Sequence, residues 1–372
     1  MCGLRGLGLI VLVLAALPGC SSDGQDESPA LSGVKAISAG FFHSCALLED
    51  GTVSCWGAVH EERPVGASSF RSTTLALTVP SVADARSISA GFTHTCAALS
   101  DGRGACWGDV PFTGTPAHEV TDARFVAAGT THDCALMADA TVQCWGESTN
   151  LGLGSDPATR RFAGTVPDVS DATAIDVSSY SSCALLADGG VKCWGSTWFD
   201  GDTLSDESLA GGVWLMRTPT PRAVERLPSS TAIATGFQFY CAVLADTTVA
   251  CWGRLPPRDS APDAAASAYP VAVDGLVDVT AIAAGSDHVC ALRGDGTISC
   301  WGSNTSGQLG DGSELSSAVP VLVKGIGSAI ALSAGNTQTC ALLANGTVSC
   351  WGDNGCPSCA RSSIPQVVRT AP

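Results

Sequence analysis

Seven pairs of cysteines constrain this chain more than any other feature. Each pair is ten positions apart, and each second cysteine is followed at once by Trp-Gly. The pairs are Cys45/Cys55, Cys96/Cys106, Cys134/Cys144, Cys183/Cys193, Cys241/Cys251, Cys290/Cys300 and Cys340/Cys350. Six of the seven copies also carry Ala-Gly or Thr-Gly a few residues upstream, as in Ala39-Gly40 and Thr235-Gly236. A repeat of this length specifies a solenoid, a propeller or an array.

Locally the unit reads as a β-hairpin. The midpoint between the first two cysteines is Asp50, which sets Leu47 opposite Val53 and leaves Glu49-Asp50-Gly51 as a three-residue loop. Such a loop is a type I turn followed by a left-handed residue, normally glycine. The other midpoints are Asp101, Asp139, Asp188, Asp246, Asp295 and Asn345, and the next residue is glycine except at Ala140 and Thr247. Those two put a side chain where positive φ is disfavoured, so their turns are expected to be strained or differently shaped.

The same register sets the two cysteines opposite each other on one face of the hairpin. Side chains so placed at a non-hydrogen-bonded pair are close enough for a disulfide after a modest approach. Closing each short loop is worth about 2–3 kcal/mol in the chain-entropy account. The alternative, a metal site, fits poorly, because Cys-x9-Cys is not a zinc spacing and no second close pair lies beside it.

The start of the chain reads as targeting. Arg5 precedes an apolar run from Leu7 to Leu17 that is short for a bilayer span. It ends in Leu17-Pro18-Gly19-Cys20, which resembles the lipobox of bacterial lipoproteins, although Pro18 stands where a small residue is usual. The resemblance implies a signal peptide over residues 1–19, a lipid on Cys20, and a location at the cell envelope, in the outer membrane or on the cell surface. Residues 20–32 then form the lipidated cysteine and a flexible tether, and residues 33–372 the repeat domain. Export agrees with disulfide use. The chain holds 19 Lys and Arg against 35 Asp and Glu, a net charge of −16, with no basic cluster. That balance argues against nucleic acid or an anionic membrane surface as a partner and leaves the lipid as the membrane contact.

Each repeat adds an apolar strand ending in Ala-Gly before the hairpin, as at Ile37-Ser-Ala-Gly40. A variable segment follows, ending in a Pro-x-x-Val-like strand such as Pro320 to Val323. About four short antiparallel strands per repeat, seven times over and with no helical period, predict an all-β, seven-bladed propeller with one intrablade disulfide per blade. The motifs Ile-Ser-Ala-Gly-x-x-His-x-Cys-Ala-Leu, Asp-Gly-x-Val-x-Cys-Trp-Gly and Asn304-Thr-Ser-Gly307-Gln-Leu-Gly-Asp-Gly312 resemble the repeat of the regulator of chromosome condensation family. The resemblance implies the same seven-bladed fold. The Gly-Gln-Leu-Gly element is intact only in the sixth repeat and traceable at Asn150-Leu-Gly-Leu-Gly154, so the interblade loops should diverge most. The chain enters at the Ile37 strand and leaves on Ile364-Pro-Gln-Val-Val, so its two terminal strands are expected to share a blade and close the ring. The chain is expected to be a monomer.

Few residues offer chemistry. A histidine stands two places before the first cysteine in four repeats (His43, His94, His132, His288), with Ser181, Phe239 and Gln338 in the others. Ligands spread over separated blades make a poor metal cage, and a histidine bonded to nearby backbone is the better reading. His60 and His118 read as loop residues. Asp50 and its counterparts are turn residues, and no hydrolase, metalloprotease or phosphate-loop motif is present, so no catalytic residue, metal or cofactor is assigned. Asp200-Gly-Asp202 and Asp311-Gly-Ser-Glu314 do not match a calcium loop. Cys356-Pro-Ser-Cys359 reads as a local structural disulfide, with a thioredoxin-like redox pair or a metal role as the alternatives.

Two tryptophans fall outside the repeat. Trp198 and Trp214 lie with Phe199 in the longest variable segment, where they serve either as interface anchors or as packing on their own blade. The sequence therefore reads as an exported, lipid-anchored propeller that binds a protein of unknown identity through variable loops on its two rims. The runners-up are a propeller enzyme or redox protein using Cys356 and Cys359, and an envelope scaffold with no discrete partner. Family members with similar repeats include a nucleotide-exchange factor for a nuclear GTPase, a role that compartment and charge exclude here. They also include an exported inhibitor of β-lactamase, whose target no motif carries over.

Overall fold

The computed structural model describes residues 28–60, 70–109, 120–146, 150–154, 163–198, 215–257, 266–353 and 361–371. Seven antiparallel sheets stand in a ring, and the innermost strand of each packs beside those of the two flanking blades, the seventh against the first. Blade 1 shows the pattern: an inner strand Val34–Ala39, the hairpin His43–Leu48 and Val53–His60, and an outer strand Phe70–Thr78. Six blades have four such strands; the second has three among the described residues, Ala85–Ala90, His94–Leu99 and Gly104–Gly108. The fold is the expected all-β propeller.

Hairpin register follows the sequence closely. Cys45 pairs with Cys55 and Leu47 with Val53. All seven expected disulfides are formed: Cys45–Cys55, Cys96–Cys106, Cys134–Cys144, Cys183–Cys193, Cys241–Cys251, Cys290–Cys300 and Cys340–Cys350. Their Cα atoms are 4.0 or 4.1 Å apart. That is somewhat closer than the 4.5 Å of an ordinary non-hydrogen-bonded pair. The turn aspartate, replaced by Asn345 in the seventh repeat, locks each loop: Asp50 Oδ1 accepts hydrogen bonds from the Thr52 backbone N–H (2.9 Å) and hydroxyl (2.6 Å). Those two bonds hold the Asp50 carboxyl below the usual carboxylate range. Ala140 (φ 65°) and Thr247 (φ 67°) adopt the same left-handed conformation as the glycines elsewhere, so these two turns keep the shape and carry the strain.

The outer strands differ in detail from the expectation. Pro270, Pro320 and Pro365 lie within them, where a missing N–H faces outward. In the first and third blades, however, the strand ends at Thr78 and Thr165, and Pro80 and Pro167 fall in the turns beyond.

The core divides into seven clusters, one per blade interface. In every one the disulfide of one blade packs against the Trp-Gly tryptophan of the next: Cys340 and Cys350 meet Trp56, and Cys183 and Cys193 meet Trp252. Alternation along the strand causes this. Each tryptophan follows its cysteine directly, so the two project from opposite faces of the same blade and serve different interfaces. The expected intrablade disulfides therefore also serve the interfaces between blades. Cys144, Cys251 and Cys300, the second cysteines of blades 3, 5 and 6, are 0%, 2% and 0% exposed. They sit in the clusters of Trp194, Trp301 and Trp351 respectively, so each sulfur is also a packing surface for the neighbouring blade.

The two terminal strands share one sheet and close the ring as expected, but the C-terminal strand that does so is Arg369–Thr370, while the Ile364-Pro-Gln-Val-Val strand expected there belongs to blade 7. Blade 7 is complete without the N-terminus, since Ala329–Ala334, Thr337–Leu343, Val348–Asp353 and Ser362–Val367 form one sheet. The chain then crosses to blade 1, where Arg369–Thr370 adds a fifth strand parallel to the outer one, opposite Leu75 and Ala76. The N-terminal segment holds this crossing from the other side through Leu31 N to Val368 O and Thr370 N to Pro29 O, both 2.9 Å. Contiguous repeats suit a hairpin that is stapled locally; the termini then need only cover one sheet edge.

Candidate protein-binding rim

Strand direction decides what the two rims carry. The hairpin turns at Asp50 and its counterparts lie at one rim, beside the links to the next blade, as Ala85 N bonding Gly51 O shows (3.0 Å). The opposite rim carries the turns after Ala-Gly. The third strand also leaves there and the fourth returns, as the pairs His60 with Phe70, Trp198 with Leu215 and Gly302 with Ser317 show. In the six blades whose fourth strand is among the described residues, the variable connections therefore start and end on one rim, not on two as the sequence suggested, because each joins the same two strand ends.

At the axis of that rim the inner strands converge on a ring of glycines. Phe41 N bonds Gly91 O (3.0 Å), Phe92 N bonds Gly129 O (3.2 Å), Ser286 N bonds Gly335 O (3.2 Å) and Asn336 N bonds Gly40 O (3.3 Å). A Cβ on Gly91 would lie 2.6 Å from the Gly129 carbonyl oxygen, so the Ala-Gly repeat is required by close approach of neighbouring blades. The ring leaves only a shallow depression of about 90 Å³.

The residues that follow these glycines face the rim. Phe41, Phe42 and Phe92 form a cluster with ring centroids 4.4, 4.6 and 5.2 Å apart, and Phe237 sits 6.1 Å from Tyr180 at another part of the rim. All four phenylalanines are half-buried and Tyr180 is 43% exposed. Tyr180 and Phe237 also line a cavity of about 220 Å³ with Ser196 and Gln238. Edge-to-face aromatic groups that stay half-wet on a rigid frame have the amphipathic character of interface anchors. Sequence reasoning missed them. The available signal was an aromatic residue directly after the Gly of three repeats, at Phe41, Phe92 and Phe237.

Below the rim the four histidines act as staples between blades. His43 Nε2 pairs with Thr95 Oγ1 (2.6 Å), His132 Nε2 with Ser182 Oγ (2.6 Å), His288 Nε2 with Thr339 Oγ1 (2.9 Å) and His94 Nε2 with Asp133 Oδ1 (2.9 Å). Each partner is the residue before the first cysteine of the next blade. The expected bond to nearby backbone is therefore corrected to a side-chain bond across the interface. Two of the three substitutions fit the same rule, since Phe239 precedes a blade with apolar Val289 at that place and Tyr240 of blade 5 donates its hydroxyl back to Ser181 of blade 4 (2.9 Å), whereas Gln338 Nε2 donates to the backbone oxygens of Gly40 (3.2 Å) and His43 (3.1 Å). Burial lowers His132 and His288 to about 4, so both are neutral at pH 7. His94, Cys96 and Asp133 converge within 4.8 Å, but Cys96 is bonded to Cys106 and offers no thiolate to a metal.

A second set of staples joins the inner strands. Ser38 Oγ accepts from Ala90 N (2.8 Å), Ser89 Oγ from Ala128 N (2.9 Å) and Ser333 Oγ from Ala39 N across the closure (2.9 Å). In blade 4 the position is Asp176, whose Oδ2 accepts from Thr235 N (2.7 Å) and Thr235 Oγ1 (2.9 Å). Burial outweighs those bonds and raises its carboxyl to about 6. A raised carboxyl makes the fold less stable as pH climbs from about 4 to 6, after which the penalty is constant. The two low histidines act in the opposite sense, adding stability as pH climbs from about 4 to 6.5. Comparing Asp176→Ser with the native chain by urea unfolding isolates the carboxyl. The variant is expected to gain stability with rising pH, reaching about 2 kcal/mol at pH 7 after discounting for partial exposure, and none at pH 4. A gain that does not change with pH would contradict the assignment.

The candidate residues of the long insert are only partly placed. Trp198 ends the third strand of blade 4 opposite Leu215, while Phe199 and Trp214 lie outside the described residues. Cys20, Cys356, Cys359, His118 and the Asp200-Gly-Asp202 segment also lie outside them. Asp311 is used internally: its Oδ1 accepts from Asn304 Nδ2 (3.2 Å) and Ser313 N (2.9 Å), which closes the sixth variable loop.

Comparison with known families agrees with this architecture. The family model described as the regulator of chromosome condensation (RCC1) repeat matches residues 34–58, 279–308 and 329–356, and a second model of the same description matches 295–342. The chain carries RCC1 repeats. Among solved structures this propeller is similar to human WBSCR16, with 18% identity, a TM-score of 0.64, and 82% of this chain and 85% of that one covered. It is similar to Prp20p of Saccharomyces cerevisiae, with 20% identity, a TM-score of 0.62, and 82% and 80% covered. The CRINKLY WD40 ectodomain of the Arabidopsis thaliana receptor kinase ACR4 matches at 21% identity and a TM-score of 0.52, covering 92% of this chain and 100% of that one. At these identities the likeness establishes the fold alone. No curated protein matches the sequence.

Proposed function

We propose that this chain is an exported, lipid-anchored RCC1-repeat propeller that binds a protein through its variable rim, without catalysis. The observation that carries the reading is the aromatic set Phe41, Phe42, Phe92, Tyr180 and Phe237, held half-wet on the rim from which every variable connection also leaves. A frame with one disulfide at each interface and a buried tryptophan at six of the seven is rigid, so docking there costs little ordering of the binder itself. Among the propellers of similar fold, Prp20p was described with its binding to Gsp1p and histones, and yeast RCC1 (Prp20) was solved bound to Kap60. The net charge of −16 favours a partner with a basic face. Export rests on the disulfides, which suit an oxidising compartment, and anchoring on Cys20.

The test combines in-cell cross-linking with lipid labelling. The native chain is expected to capture one defined partner, and Phe41→Ser/Phe237→Ser at equal abundance to lose it at least tenfold. Thr52→Ala/Thr297→Ala on the opposite rim should retain it. Loss in the opposite-rim variant only, or in neither, would refute the assignment of the face. Cys20→Ser should abolish incorporation of a fatty-acid label, and persisting label would remove the anchor from the proposal.

A further inference from the structure

Among the described residues, every exposed large aliphatic side chain lies between Val271 and Val367, in blades 5 to 7. Four of them belong to blade 7 or to the strand that leads into it: Leu322, Ile330, Ile364 and Val367, between 45% and 59% exposed. We infer that this sector of the turn rim lies against a lipid bilayer, the one that a lipid on Cys20 enters. The inference rests on the anchor proposed above and assigns the face that the propeller turns towards the membrane.

Comparison of equivalent positions in the same chain singles out blade 7. Each inner strand carries one bulged residue at the turn rim. It is basic in blades 1 to 3 (Lys35, Arg86, Arg124), threonine in blades 4 to 6 (Thr173, Thr231, Thr280), and Ile330 in blade 7. The hairpin turn has aspartate at its midpoint in six blades and neutral Asn345 in the seventh. The links from blade to blade each hold a carboxylate, such as Asp84, Asp122, Asp168, Glu225 and Asp274, until the last, Lys324-Gly-Ile-Gly-Ser328, which holds a lysine and none. In a chain with 35 acids, one blade has thus lost its carboxylates and gained aliphatic groups on the same rim. A carboxylate pressed against lipid loses hydration with nothing in return, whereas a lysine at the headgroups meets phosphate.

The path of the N-terminal segment brings the anchor to this side. Gly33 O accepts from Glu49 N in the first hairpin turn (2.9 Å), so the segment runs along the turn rim. Leu31 N bonds Val368 O (2.9 Å), the neighbour of Val367, and Ser28 O accepts from Arg369 Nη1 (2.7 Å). Cys20 stands eight residues before Ser28, at most about 28 Å of extended chain. A lipid there holds Val367 and its neighbours close to the bilayer, and a second contact of this kind turns marginal anchoring into stable anchoring. Pro320 and Pro365 lie in the outer strands of blades 6 and 7, where they oppose strand pairing with a second copy. The variable rim, with Phe41 and Phe237, then faces away from the membrane.

Photo-crosslinking of the full chain in cells tests the face, with benzoylphenylalanine in place of Ile330, Thr173 or Phe41 and phospholipid carrying a radioactive phosphate. Capture of phospholipid is expected from position 330, at least tenfold above that from the same bulge site in blade 4 and from the variable rim. Leu322→Glu/Val367→Glu should lower capture at 330 at least tenfold, while the fatty-acid label on the chain and the melting temperature of the purified protein stay unchanged. The fatty-acid label reports the anchor separately. Capture at 330 in a chain that takes up no label would support the face and remove the anchor alone. No capture at 330, whether or not the chain is labelled, equal capture at 173, unchanged capture in the double variant, or a crosslinked dimer in place of the lipid product would overturn the inference.

Discussion

Gly335→Ala is expected to destabilise the propeller by about 3 kcal/mol or more, or to prevent its folding. A Cβ at Gly335 would overlap the carbonyl oxygen of Gly40, and that oxygen already accepts from Asn336 N (3.3 Å) and Gln338 Nε2 (3.2 Å). The clash falls at the contact between the last blade and the first, where no flexible side-chain end can move aside. Relief would require the two blades to separate, which also strains the Ser333-to-Ala39 bond of the same interface. Gly327→Ala is the control: nothing lies within 4 Å of its Cβ position, and its backbone is not left-handed. That change should be neutral or stabilise by up to about 1 kcal/mol through the unfolded chain. Equilibrium urea unfolding of both variants decides the matter. Equal effects would show that the axial ring tolerates expansion.

The second large effect is expected at Trp56. This indole is 1% exposed and packs with Cys340, Leu342 and Val348 of blade 7, so Trp56→Ala removes the largest side chain from the closing interface. Truncation of a buried tryptophan costs about 3–5 kcal/mol through lost burial and the cavity left behind. Trp107→Ala changes the same atoms at a half-buried site beside an existing cavity, and should cost about half as much or less. The measurement is the difference in unfolding free energy between the two variants under non-reducing conditions. If Trp107→Ala proved the costlier change, burial would not be what sets the cost of truncation at these interfaces.

Both expectations concern the ring rather than the blade, and the sequence is silent on the ring in a specific way. Asp50, Gly51 and Thr52 define a turn whose hydrogen bonds span three residues, so its shape was legible from residue types alone. Ala140 and Thr247 show the limit even there: the turn keeps its left-handed residue, because the register of two paired strands and a disulfide overrides the local preference. The cysteines show a similar limit. The bonds of Cys144, Cys251 and Cys300 were legible from a spacing of ten, but their contacts with Trp194, Trp301 and Trp351 of the next blade were not. The histidines go further. Their positions were visible, but their partners Thr95, Asp133, Ser182 and Thr339 lie 39–52 residues away. Choosing these partners over nearby backbone required knowing which face of a blade meets the next one. Phe41, Phe92 and Phe237 went unnoticed because an aromatic residue after Gly has no meaning until the inner strands converge.

By itself the sequence determined what depends on short-range geometry: strand alternation, the hairpin register that pairs Cys45 with Cys55, the seven repeats and the all-β ring they imply. Each follows from steric rules acting within about a dozen residues. Only the tertiary structure decided how the blades meet. It set each disulfide against the next blade's tryptophan, drew the glycines to the axis, gathered the variable connections on one rim and led Arg369–Thr370 to the edge of blade 1. Those features depend on the relative placement of two sheets, which no spacing within a single repeat encodes.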